Sequence, residues 1–281
     1  MRDASPLRYP GGKWRFSPFF EGLISKNFKT PPFYIEPYAG GASLALSLLF
    51  NEKVREIYLN DADPAIYAFW HSAINYNEQF CEFVQSTSVT ALEWSRQREI
   101  YRLGPRSETI LLGFATFFLN RTNHSGILNG GMIGGKSQEG EWRVDARYNR
   151  SELVRRLTRV ASFRKRIHLS CKDAIDFLRH HRKDHDTLVY LDPPYFGPGR
   201  HLYYNAYGPN DHAKVRDEIS KLGCSWLASY DDNKQIRMLY KSFRRRCVRW
   251  RHTARVSRRG NEIVYFSPRL IIPRVSLGPS A

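Results

Sequence analysis

Apolar and β-branched residues gather in six short runs: Phe33 to Ile35, Glu56 to Leu59, Ile167 to Ser170, Leu188 to Leu191, Ser225 to Ser229 and Ile263 to Phe266. Runs this short, bounded by turn-forming residues, predict strands. Between several of them apolar positions recur at helical spacing, so strands alternate with helices, as in an α/β domain with a largely parallel sheet. Two helices carry clear start signals. Asp63 followed by Pro64 predicts an N-cap and a first helical residue, after which Ile66, Phe69, Trp70, Ala73 and Ile74 share one face. Asp211 predicts the start of another, with Val215, Ile219 and Leu222 at helical spacing and Gly223 as its stop.

The middle of the chain breaks this rhythm. Residues 71–150 contain helical patterns at Leu92 to Leu103 and Thr109 to Leu119, then NRTNHSGILNGGMIGGKSQEGEWRVDARYN. Its glycines 130, 131, 134, 135 and 140 mark turns and mobile backbone and exclude a continuous helix. This segment reads as an inserted domain, leaving 1–70 and 151–281 as one discontinuous domain.

A length of 281 residues allows a large core in one domain carrying an insertion. The formal net charge of +17 changes the picture more, because such a surface attracts phosphate polymers or anionic membranes. Residues 241–259 hold nine Lys or Arg and no acid, and residues 147–166 hold eight with one Glu. Phe243, Trp250 and Phe163 interrupt these runs, which places the charge on folded elements rather than a disordered tail. Each run alone reads equally as a solvated basic face; two together favour nucleic acid. Cys81, Cys171, Cys224 and Cys247 are widely spaced without a CxxC pair, so neither a zinc site nor a disulfide framework is expected. No apolar signal core stands at the N-terminus, and the apolar run Ile110 to Leu119 is about half a bilayer span, so a cytoplasmic protein without membrane association is expected.

Three constellations carry candidate chemistry. In FYIEPYAGGASLALSLL (33–49) a strand leads to Glu36 and a small-residue turn through Gly40 and Ala42 opens a helix. Such a turn lets a ligand lie against backbone at the strand's C-terminal edge, although an ordinary strand-to-helix turn has the same residues. In IYLNDADPAIYAFW (57–70), Asp61 ends the next strand about 20 residues later, the spacing at which an acid bonds ribose hydroxyls. Asp63 is better placed to cap the following helix. In LVYLDPPYFGPG (188–199) a buried strand stops at Asp192, because Pro193 and Pro194 cannot continue a central sheet. A carboxylate and a proline carbonyl can accept both hydrogens of an exocyclic amine, leaving its nitrogen pyramidal and nucleophilic, while Tyr195 stacks on the ring. A strand-ending turn is the plainer use of the same prolines.

LRYPGGKWRF (7–16), EPYAGGAS (36–43), NDADPAIYAFW (60–70), FFLNRTNHSGIL (117–128) and LDPPYF (191–196), in that order, resemble the adenine-specific (N6) DNA methyltransferases of the Dam type. The likeness continues through YGPNDH (207–212), SYDDN (229–233) and GNEIVYFSP (260–268). It implies a Rossmann-like S-adenosylmethionine-dependent methyltransferase fold with a mostly parallel seven-stranded sheet, and an inserted, mainly helical target-recognition domain. Tyr9 and Lys13 would line the donor site, Glu36, Gly40 and Ala42 would hold the methionine moiety, and Asp61 the ribose. Asp173 would contact the donor's adenine or cap a helix. Asp192, Pro193, Pro194 and Tyr195 would grip an adenine flipped from double-stranded DNA and direct its N6 at the donor methyl, with no metal.

Two departures qualify the likeness. Ala42 stands where the family often has glycine, and His124-Ser125 stands where Dam has an aromatic and an amide residue working in the DNA, so a GATC target does not carry over. Arg121, Asn123, His124 and Asn129 remain the candidates for reading bases, Arg121 serving equally well as a structural residue. The alternatives are an RNA adenine methyltransferase, which usually carries Asn in place of Asp192, and a DNA-binding protein of the same fold without catalysis. The likeness also allows a cognate restriction enzyme as partner.

Overall fold

The computed structural model describes residues 4–8, 13–181, 185–196, 207–251 and 259–274. The chain divides into two compact units, one of residues 1–12 and 63–169, the other of 13–62 and 170–281. The segment 71–150 expected as an insertion lies inside the first.

In chain order the strands are β1 (Phe33–Glu36), β2 (Glu56–Asn60), β3 (Ile167–Ser170), β4 (Thr187–Leu191), β5 (Ser225–Asp231), β6 (Arg244–Arg251) and β7 (Arg259–Phe266). They form one seven-stranded sheet in the order β3-β2-β1-β4-β5-β7-β6. The pairs β1/β2, β1/β4 and β4/β5 are parallel, and β5/β7 and β6/β7 antiparallel. Strand order reverses between β1 and β4, and ligands of open α/β sheets bind at the carboxyl ends of the strands flanking such a reversal. All five residues of β4 are buried, as a central strand covered on both faces requires.

The helices are α1 (Ser17–Asn27), α2 (Ser43–Phe50), α3 (Pro64–Asn75), α4 (Asn77–Ser86), α5 (Ala91–Leu103), α6 (Thr109–Thr122), α7 (Arg150–Ser162), α8 (Ala174–His180), α9 (Pro209–Ile219) and α10 (Lys234–Leu239). Asp63 caps α3 as expected, its carboxylate accepting from Ala65 N at 2.9 Å, with Pro64 at the first helical position. The start expected at Asp211 moves. Pro209 begins α9, and Asp211 sits at its third position and accepts from Gly208 N at 3.0 Å, so it works from inside the first turn rather than before it. The same helix stops at Ile219, short of Leu222 and Gly223. Among the described residues no helix is long and apolar enough to cross a membrane.

The first unit is built on aromatic packing. Phe69 of α3 stacks on Phe117 of α6 at 5.9 Å, and Phe80 of α4 meets Phe114 and Phe117 edge-on at 5.9 and 5.6 Å. Each such ring contributes roughly 1.5–3 kcal/mol by leaving water. Gly113 sets how closely α3 and α6 approach, because a Cβ there would lie 2.5 Å from the Ala68 carbonyl oxygen and 2.8 Å from Ser72 Oγ. Glycine to alanine in a helix interior ordinarily stabilises by about 0.5–1 kcal/mol. Here the collision outweighs that gain, and Gly113→Ala is expected to destabilise by about 1–3 kcal/mol, read as a lowered midpoint in denaturant.

Candidate active site

Asp192 follows β4, whose last residue, Leu191, lies beside Ala228 of β5. One residue further along that register, Ser229 Oγ donates to Asp192 Oδ1 at 2.7 Å, and the buried Tyr190 hydroxyl lies 2.8 Å from Ser229 Oγ. With its proton committed to Asp192, Ser229 accepts from Tyr190. Lys13 Nζ approaches the other Asp192 oxygen at 3.4 Å and donates to both oxygens of Glu262 at 2.8 and 3.0 Å. Glu262 arrives here because β7 is antiparallel to β5, which brings the start of β7 to the carboxyl end of its neighbour, where Glu262 lies opposite Asp231. Burial holds the Asp192 carboxyl above its ordinary value, with Glu262 adding to the rise and Lys13 and Ser229 offsetting only part of it. Burial works against the Lys13 ammonium as well, but Asp192 and Glu262 outweigh it and hold it well above the ordinary lysine value.

Tyr195 completes the cluster. Its hydroxyl donates to Glu262 Oε1 at 3.1 Å, and Lys13 Nζ lies 6.0 Å from its ring centroid. The loop is fixed just beyond, where Phe196 N donates to Asp231 Oδ1 at 3.0 Å and the Phe196 ring meets His212 at 5.2 Å. Pro193 and Pro194 stand between these anchors and are buried. An acceptor carboxylate and an aromatic face are thus held a few residues apart on rigid backbone.

At the end of β1, Glu36 is 5% exposed, and the Tyr34 hydroxyl donates to it at 3.0 Å. Burial pushes its carboxyl up to about 8, against the hydrogen bonds from Tyr34 and the Ala45 amide. The turn that follows is left-handed at Gly40 (φ 45°) and at Ala42 (φ 46°). Ala42 therefore bears on backbone strain as well as on size, since its methyl occupies a conformation that glycine adopts freely. Asp61 fastens the turn, accepting from Gly40 N at 2.8 Å. Asp173 caps α8, accepting from Ile175 N at 2.9 Å. Tyr9 lies outside the described residues.

The structure therefore brings Lys13, Asp192 and Tyr195 together and places Glu36, Gly40, Ala42 and Asp61 along neighbouring strand ends. Lys13, expected with the donor residues, forms ion pairs with Asp192 and Glu262. Sequence reasoning gave no role to Glu262, Ser229 or Asn60. The buried Asn60 donates to the carbonyls of Pro37 and Lys172, both at 3.0 Å, and accepts from Ser170 Oγ at 2.7 Å, tying the loops after β1 and β3. The available signal was a polar residue set directly against an apolar run, as in YLN for Asn60 and NEIVYF for Glu262.

The base-reading candidates divide. Asn123 is fully buried, donates to Ile127 O and Leu128 O at 2.8 and 3.0 Å, and accepts from Trp94 Nε1 at 2.6 Å, so its amide shapes the loop after α6. Arg98 closes the same loop on Leu128 O and Gly130 O at 3.2 and 2.9 Å. Arg121 forks onto the Arg147 carbonyl at 2.9 and 2.6 Å. His124 and Asn129 carry exposed side chains on this braced loop. The basic runs are also partly engaged: Arg155 and Arg156 pair with Glu152 at 2.8 Å, Arg244 holds carbonyls of Ser267, Pro268 and Leu270, and Arg246 that of Pro273. Residues 252–258 of the second run lie outside the described residues.

Comparison with known proteins bears on this arrangement. None of the curated proteins matches the chain. Among solved structures, an S-adenosylmethionine-dependent methyltransferase from Agrobacterium tumefaciens is similar at 9% identity and a TM-score of 0.41, over 89% of this chain and 60% of that one. The chain thus spans less than two thirds of that protein's length. An rRNA methyltransferase from Streptomyces viridochromogenes is similar at 14% identity and a TM-score of 0.42, over 92% of this chain and 85% of that one. The sequence model of the D12 class N6 adenine-specific DNA methyltransferases matches residues 9–254, a span that includes both the Glu36 turn and the Asp192 loop. The chain belongs to the D12 class of N6 adenine-specific DNA methyltransferases.

Proposed function

We propose that the chain methylates N6 of an adenine flipped out of double-stranded DNA, with S-adenosylmethionine as donor. The observation that carries this reading is the placement of Asp192 and the Tyr195 ring in the one short loop after β4, Asp192 held by Lys13 and Tyr195 by Glu262, which Lys13 also binds. The adenine amine is a poor nucleophile because its lone pair is delocalised into the ring. Asp192 accepts one N–H and a carbonyl of the proline elbow the other, which favours a pyramidal nitrogen and localises the lone pair. Tyr195 offers a face for the base once it has left the stack, offsetting an extrusion cost of a few kcal/mol.

The residues at the neighbouring strand ends fit the donor. Glu36 is a buried carboxyl whose raised affinity for a proton would be relieved by a cationic ligand group such as an amino acid's ammonium. The left-handed turn at Gly40 and Ala42 lies beside it without bulky side chains, and Asp61, which fastens that turn, is the residue we assign to the ribose. When bound, S-adenosylmethionine supplies an electrophilic sulfonium methyl. The overall charge of +17 favours a polyanionic substrate, with binding that weakens steeply as salt rises. His124 and Asn129 are the side chains we assign to base reading. Such a site-specific activity would suit partnership with a restriction enzyme.

Two outcomes are expected. Duplex DNA incubated with the protein and S-adenosylmethionine should yield N6-methyladenine by nucleoside mass spectrometry, with a loss of roughly 100-fold or more for Asp192→Ala. Methyladenine from RNA alone would transfer the reading to RNA, and an undiminished Asp192→Ala rate would remove Asp192 from the mechanism. Donor binding by calorimetry should tighten as pH rises toward about 8, because Glu36 must give up its proton to face an ammonium. It should weaken above that, where the donor's own amine titrates, near about 7.7–8.0. Glu36→Gln should abolish the rise; a rise that persists would mean another group is responsible.

A further inference from the structure

The assigned chemistry uses Asp192 and Tyr195 and leaves Glu262 without a task. Glu262 is 4% exposed, an uncommon place for a carboxylate unless it is paired. It touches two members of the site at once: both its oxygens take Lys13, at 2.8 and 3.0 Å, and Oε1 also takes the Tyr195 hydroxyl at 3.1 Å. Lys13, itself 7% exposed, spans from Glu262 to Asp192.

Charge movement in the reaction shows what this arrangement achieves. The N6 lone pair forms the new N–C bond while the C–S bond breaks and its electron pair stays on sulfur. Positive charge therefore leaves the sulfonium and develops on N6, which then loses a proton to water. A lone Asp192 would favour that charge. Asp192 beside Lys13 alone would be neutral overall and would favour it much less. Glu262 makes the count two carboxylates to one ammonium, restoring one net negative charge in a site where electrostatic effects are strong.

We propose that Glu262 is a positioning residue of the methyl transfer: it offsets and holds Lys13 so that Asp192 presents a net negative acceptor to N6, and it anchors Tyr195 through its hydroxyl. The proposal rests on the adenine reading above. The groups facing Asp192 are Lys13 ahead of α1, Glu262 on β7, Tyr190 on β4 acting through Ser229 of β5, Glu36 and Tyr34 on β1, and Tyr195 in its own loop. Lys13 favours the ionised form of Asp192 and Glu262 opposes it, so removing each should move the acid limb of the rate profile in opposite directions.

The test is the pH dependence of kcat on DNA for wild type, Glu262→Gln, Glu262→Asp, Lys13→Met, Tyr195→Phe and the Glu262→Gln/Tyr195→Phe double variant, with circular dichroism to check folding. Glu262→Gln should lower kcat roughly 10- to 100-fold, leave the donor KM within about twofold, and move the acid limb to lower pH. Lys13→Met should move it to higher pH, because Asp192 then faces Glu262 without a cation. Glu262→Asp should recover part of the rate, and the double variant should lose no more than Glu262→Gln alone, since both break one linkage. Wild-type kcat and profile in Glu262→Gln, or limbs shifting in the same direction, would overturn the proposal while leaving the adenine reading intact. If Glu262→Gln fails to fold, an acid limb unmoved by Lys13→Met would overturn it. Absence of N6-methyladenine with the wild type would overturn the adenine reading and this proposal with it.

Discussion

In the proposed reaction an acceptor carboxylate has to stay ionised just beyond a fully buried strand, with its side chain only 28% exposed. Desolvation alone would protonate Asp192 more readily and deprive it of the charge that an amine-directing group needs. The surroundings read as the answer to that demand. Ser229, backed by Tyr190, supplies a hydrogen bond to one oxygen, and Lys13 supplies a cation to the other. The cation has its own burial to offset, which Glu262 meets, and the same glutamate holds the tyrosine. Removing one member of such a buried set costs more than its own contact, because its neighbours are left charged and unpaired.

Topology is what brings residues far apart in sequence to this one edge of the sheet. Parallel β1 and β4 bring Glu36 and Asp192 to the same edge of the sheet, at the reversal of strand order. Parallel β5 adds Ser229 and Asp231 to that edge. The antiparallel turn of β7 is needed for Glu262, since a parallel strand would present its end residues there instead of its beginning. Asn60 and Asp61 then lock the loops after the strands, so the site is carried by hydrogen-bonded backbone rather than free loops.

Much of this was legible in the residue pattern. The six predicted strands coincide with β1 to β5 and β7, because buried strands need apolar runs. The edge strand β6, RRRCVRWR, was not legible as a strand. Arginines interrupt its alternation, and charge is tolerated there because an edge strand has one flank unpaired and gains protection against further pairing from it. The carboxylate of Asp192 and the turn at Gly40 stood out because proline and glycine restrict or free the backbone locally. The partnership of Lys13 with Glu262 joins residues 249 apart in sequence, and no local pattern encodes such a pairing. The bonding of Asn123 within its own loop was hidden for a related reason: an amide suited to a base edge is equally suited to nearby carbonyls, and the sequence does not show its burial.

Methyl transfer as proposed requires one spatial relation, that a donor held at the end of β1 directs its reactive carbon at the acceptor held at the end of β4. A crystal structure of the protein with S-adenosylhomocysteine tests it most directly. The amino group of the ligand's amino-acid portion is expected at Glu36, its backbone contacts at Gly40 to Ala42, its ribose at Asp61 and its sulfur facing Asp192. A ligand bound away from the Glu36 turn, or with its sulfur turned from Asp192, would contradict it.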